Sequence, residues 1–210
     1  MAKRAPSTTS RLSAYTDAVF AVIITIMALE IRPPDSPTLA GLFSLWPTVV
    51  SYAVSYVFVA IIWMNHHYLM GYSSAPTVRL IWLNFGHLFF VSLLPFATSW
   101  MADTELAHLP VITYAILFVV TDGMYNLFER EILRHSDAFT PREYVTIRRR
   151  SLAALALFTL AAIAAFFEPW VGFGIVCVAL ALHLRPDVPR WLIRARRGHG
   201  AGGDDPSGAE

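Results

Sequence analysis

Polar residues along this chain leave long apolar runs between them. A hydrocarbon core of about 30 Å needs about 20 apolar helical residues, and six segments approach that length. The first covers residues 12–31, and the second lies in the charge-free stretch 36–65, starting near Phe43. The third fits between Arg79 and Asp103, and the fourth runs from Leu109 to Phe128. The fifth lies between Arg150 and Glu168, and the sixth between Glu168 and Arg185. Proline punctuates the pattern. Pro33, Pro34 and Pro37 stop the first helix, and Pro110 suits the first turn of the fourth, where its absent N–H costs nothing. Pro95 falls inside the third, which should kink or unwind there. Glu168-Pro169 predicts a tight hairpin between the last two helices. The fifth run is rich in alanine, from Ala153 to Ala165, and small residues allow close helix contact where hydrophobicity cannot drive it.

Composition agrees with this pattern. The 210 residues are 56% hydrophobic and only 15% charged, with a mean hydropathy of +0.52; a soluble domain would carry about 25% charged residues. The expected fold class is an all-α integral membrane protein with six transmembrane helices. Lys3, Arg4 and Arg11 before an apolar run resemble a signal peptide. That run ends in Glu30-Ile31-Arg32-Pro33-Pro34, however, and not in a small-residue cleavage site.

Charge fixes the expected sidedness. With the N-terminus in the cytoplasm, fifteen of the sixteen Lys and Arg residues fall on one side. They lie in the N-terminal arm, at Arg79, in the fourth connection (Arg130 to Arg150) and in the tail (Arg185 to Arg197); only Arg32 falls outside. The positive-inside rule predicts such a bias, so both termini should be cytoplasmic in a cell (inner or plasma) membrane. The expected organisation is a cytoplasmic arm over 1–10, a membrane domain over 11–185 and a basic, then disordered, tail over 186–210, the last being Gly-, Asp- and Ser-rich. The lone Cys177 reads as a packing residue. No P-loop, dinucleotide fingerprint, HExxH or GxSxG occurs, and no nucleophile–base pair is visible. The reading is therefore no enzyme, no cofactor, no bound metal, no nucleic-acid partner and no small-molecule substrate.

Asp17 is the anomaly of the first helix. At 100° per residue, with Val22 as zero, Thr25 falls at about −60°, Ile26 at about +40° and Leu29 at about −20°. These four form one stripe, and Asp17 lies about 140° away. Taken alone, the stripe fits helix packing or lipid contact, and the Thr25 hydroxyl can bond back to its own helix. An acid within a membrane is expected to have a partner. His66 and Asn84 are candidates on the second and third helices, and Arg11 is a third. The resulting cluster either locks helices together or coordinates an ion.

The stretch Arg11-Leu-Ser-Ala-Tyr15-Thr16-Asp17 resembles the R-x-x-x-F-S-D signature of the transmembrane protein 175 family of potassium channels, with Tyr for Phe and Thr for Ser. Trp63-Met-Asn-His66-His67, Trp82-Leu-Asn84 and Ser92-Leu-Leu-Pro95-Phe96 continue the likeness, which is strongest over residues 11–100. The resemblance implies a homotetramer around a central pore lined by the first helix of each subunit, with potassium as the permeant ion. A hydrophobic gate would fall at Val22, followed outward by Ile26 and Leu29, with transient potassium near Thr25. Arg11, Tyr15, Thr16, Asp17, Trp63, His66 and Asn84 would form a structural polar network. The alternative is a proton-linked secondary transporter or proton leak pathway using His66, His67, His87 and Asp122. Against the transporter, no inverted repeat or pair of broken helices is visible.

Overall fold

The computed structural model describes residues 8–73 and 75–183. Lys3, Arg4 and the arginines of the tail lie outside the described residues. Eight helices follow in order: α1 Thr8–Leu29, α2 Leu39–Ser44, α3 Trp46–Met70, α4 Val78–Val91, α5 Leu94–Asp103, α6 His108–His135, α7 Pro141–Phe167 and α8 Pro169–His183.

Local chemistry explains most of the boundaries. The Thr38 and Thr77 hydroxyls accept the backbone N–H of Gly41 and Leu80, capping α2 and α4. Thr140 and Glu143 form a reciprocal capping box at the start of α7. The third expected span is two helices. The regular hydrogen-bond ladder is interrupted at Ser92 and Leu93, which keep right-handed helical backbone angles, because Pro95 offers no N–H to the Val91 carbonyl and its ring crowds that carbonyl.

The structure departs from the sequence expectations in three places. The second span begins at Trp46, after the separate turn-and-a-half of α2. The fourth helix continues to His135, and the fifth begins at Pro141 rather than after Arg150, so Arg142, Arg148, Arg149 and Arg150 lie on helix, not loop. At 1.5 Å per residue, α6 and α7 are about 42 and 40 Å long, longer than a 30 Å core. Among the described residues, five stretches are long and apolar enough to cross a membrane, with α4 and α5 counted as one. The sixth, α8, has 15 described residues.

The core draws on every long helix: Phe20, Ile23 and Met27 of α1 and Leu88 and Val91 of α4 join residues of α3, α5, α6, α7 and α8. Phe58 stacks on Phe118, and Phe158 meets both rings edge-on. Ser55 is bonded to Thr98 at 2.7 Å and to the Tyr114 hydroxyl at 2.8 Å, tying α3 to α5 and α6. At the α7–α8 hairpin, a Cβ on Gly172 would stand 2.7 Å from the Ala165 Cα. Only glycine allows that approach. At the Arg79 end of the bundle, Tyr72 packs on Phe139 and donates to Tyr68. Burial first, then that hydrogen bond, pushes the Tyr72 hydroxyl up to about 12, so it stays a neutral donor.

Candidate pore helix and its polar network

Helix α1 has two unlike faces. Leu12, Thr16, Phe20, Ile23 and Met27 are buried against α3, α4 and α5. Their spacing of three and four residues is that of one helix face. The other face stays open along the whole helix. Val22 is 56% exposed, Ile26 42% and Leu29 77%, and Arg11, Tyr15 and Thr25 are exposed with them. On the helical wheel Arg11 and Tyr15 fall within about 20° of Val22, so the open face runs from Arg11 to Leu29. The Thr25 hydroxyl donates to the Ala21 carbonyl at 2.8 Å. Its proton is thereby turned into the helix, and its lone pairs are left outward.

Asp17 sits at the border of the two faces. Its Oδ1 accepts the indole Nε1–H of Trp63 at 2.8 Å. His66 and Asn84 are not its hydrogen-bond partners. They bond to each other one helix position deeper, where Thr16 rather than Asp17 faces the bundle. His66 Nε2–H donates to Asn84 Oδ1 at 2.7 Å, and Asn84 Nδ2 donates to Thr16 Oγ1 at 2.9 Å. Thr16 passes its own proton to the Leu12 carbonyl at 3.0 Å. Because Asn84 Oδ1 can only accept, the His66 proton resides on Nε2. Thr16, His66 and Asn84 are all buried, and the chain of donors links α1, α3 and α4. His66 also stacks on Phe128 of α6, ring centroids 4.7 Å apart. Tyr15 meets Phe85 edge-on at 5.4 Å. Arg11 makes no ion pair among the described residues.

The four groups considered for a proton relay are not gathered into one chain. His66 and His87 lie 6.4 Å apart as parallel rings. His87 donates from Nδ1 to the Thr121 carbonyl at 3.2 Å. His67 is exposed and stacked on Trp63. Asp122 accepts from Asn126 on the α7-facing side of α6, beside Ser151 of α7. No group of three or more His, Cys, Asp or Glu residues that could hold a metal occurs among the described residues.

Sequence reasoning missed a second polar cluster, between α6 and α7. Arg148 donates to Glu129 at 2.9 Å and to Asn126, and Ser151 donates to the other Glu129 oxygen. Glu129 is buried. The signal was present: an acid two helix turns after Asp122, near the end of a span, opposite a run of three arginines. It was masked by placing those arginines in a loop.

A bundle of membrane-length helices, the first keeping one broad face unpacked, defines the class: an all-helical integral membrane protein. The family described as endosomal/lysosomal potassium channel TMEM175 matches residues 11–95. A potassium channel of Chryseobacterium sp. is 31% identical over 181 residues, 86% of this chain and 94% of its own. The chain belongs to the TMEM175 family. The fold also resembles the crystal structure of a lysosomal potassium-selective channel TMEM175 homolog from Chamaesiphon minutus, with a TM-score of 0.74 and 25% identity, covering 83% of this chain and 95% of that one. The endosomal/lysosomal proton channel TMEM175 of Danio rerio is 28% identical, covering 91% of this chain and 44% of its own.

Proposed function

We propose that this chain is a potassium-preferring cation channel, a homotetramer in which the α1 helices of four subunits surround a central pore. Val22 forms the constriction, Ile26 and Leu29 continue the wall outward, and Thr25 offers one hydroxyl oxygen per subunit to a passing ion. The carrying observation is the open face of α1, with Val22 56% exposed on a helix whose opposite face is packed throughout. A face turned to lipid has no use for Arg11, Tyr15 and Thr25 in line with its aliphatic residues. A water-filled lumen accommodates all of them. A ring of aliphatic side chains gates by dewetting, which depends on radius. The Asp17–Trp63 bond and the Thr16–Asn84–His66 chain set the position of α1, so opening is a tilt or rotation of α1 against them. With six crossings both termini lie on one side, and the arginine-rich inner ends argue that this side is the cytoplasm, with the cell membrane as the site of action. No cofactor is required; potassium ions are the permeant species, and sister subunits and lipid are the partners.

Cation flux from liposomes holding the purified protein, with potassium and sodium compared, tests this reading. Four valines leave more room than four isoleucines, so Val22→Ile should lower sodium permeability relative to potassium. An unchanged ratio contradicts the constriction.

The vertebrate relative named a proton channel supports a second reading, proton passage. His87 favours it too: it is fully buried, and its Nε2 has no hydrogen-bond partner among the described residues. Proton flux that persists without potassium and is lost in His87→Gln would select that reading.

A further inference from the structure

The inner ends of α6 and α7 carry more positive charge than their own carboxylates neutralise. Glu129 is taken by Arg148 at 2.9 Å, and Glu131 by Arg79 at 3.4 Å. Glu143 is committed to the Thr140 capping box. Arg130, Arg134, Arg142 and Arg149 are exposed and have no ion pair among the described residues.

Their depth can be measured along the helices. His108 donates from Nε2 to the Phe166 carbonyl at 2.9 Å, which holds the outer ends of α6 and α7 at one level. At 1.5 Å per residue, Arg149 lies about 26 Å along α7 from that pin, and Arg142 about 36 Å. On α6, Arg130 lies about 33 Å from it and Arg134 about 39 Å. The Arg148–Glu129 pair checks the register independently: its members fall at about 27 and 32 Å and do meet. Counted from that pin, a hydrocarbon core of about 30 Å, with headgroups extending the bilayer to about 40–45 Å, puts Arg130, Arg134 and Arg142 in the far headgroup layer and Arg149 just short of it, within reach of its long side chain. Arg130 and Arg134 are four residues apart, and Arg142 and Arg149 seven, so each pair shares a helix face.

We propose that this arginine collar binds the phosphates of anionic phospholipids in the inner leaflet. The planar guanidinium matches a phosphate in a two-point contact, and an anionic membrane surface attracts such residues within a Debye length. The inference needs only a membrane protein of this sidedness; it is independent of where the pore runs.

The test uses the full chain in detergent, titrated with phosphatidylglycerol, phosphatidylcholine or inorganic phosphate. Bound lipid is counted by native mass spectrometry. The tail arginines are present in every protein compared, so the difference reads the collar alone. Phosphatidylglycerol should be retained in preference to phosphatidylcholine. The triple variant Arg130→Gln, Arg134→Gln, Arg149→Gln should bind it at least about tenfold more weakly. The corresponding lysine triple, which keeps the charge but not the two-point contact, should recover part of that affinity, and it serves also if the glutamine triple fails to fold. Equal retention of the neutral lipid, or an unchanged affinity in the glutamine triple, overturns the proposal. Displacement of the lipid by equimolar inorganic phosphate overturns it in favour of a soluble anion site. A lysine triple that binds no better than its glutamine counterpart overturns the charge argument.

Discussion

A carboxylate in the membrane half of a helix costs about 2.5–3.5 kcal/mol on insertion scales. Asp17 offsets part of that with one strong donor, the Trp63 indole. Trp63→Phe keeps the ring stacked on His67 but deletes the N–H, and should lower stability by about 1 kcal/mol. Thermal unfolding in detergent checks it: the midpoint should fall, and the loss should shrink in an Asp17→Ala background, where no acceptor remains. Equal losses in both backgrounds would mean that the bond carries nothing. The sequence marked Asp17 as needing a partner, since a lone acid in an apolar run is visible in one dimension. It did not say which partner. Asp17 and Thr16 are adjacent in sequence but about 100° apart on the helix, and that rotation sends Asn84 to Thr16 and leaves Asp17 to Trp63.

Helix–helix contact in lipid depends on close approach, and the α7–α8 hairpin shows it. Gly172 lies over the Ala165 backbone. Gly172→Ala should cost about 1–3 kcal/mol through overpacking, read as faster thermal inactivation. Adding Ala165→Gly should recover only part of this, because the clash also involves backbone atoms. A Gly172→Ala protein as robust as its parent would show that the hairpin packs less closely. Apolar runs and prolines made most elements legible, including the break before Pro95 and the Glu168-Pro169 turn. The ends were less so. The charge-free stretch before α3 hid α2, because a single Ser44 is all that marks the step at Leu45. Arginine stood for loop between α6 and α7, although Thr140-Pro141-Arg142-Glu143 spells a helix start. Those helices leave the bilayer while still helical, so apolar length underestimates them.

At the scale of the molecule, one chain packs α1 and α3 to α8 around a shared core and leaves one face of α1 unmet. The account holds that three further copies meet that face. Val22 then looks across an axis at its own counterparts, and four cysteines placed there would converge. Converging thiolates bind soft metal ions tightly, whereas a single thiol facing lipid does not. The most direct measurement is potassium flux from liposomes carrying Val22→Cys, with and without micromolar cadmium, using the parent protein with its native Cys177 as reference. Flux through Val22→Cys should stop with cadmium and return with a chelator, while the parent is unaffected. Val22→Cys channels that conduct equally with and without the metal would place Val22 away from any shared axis.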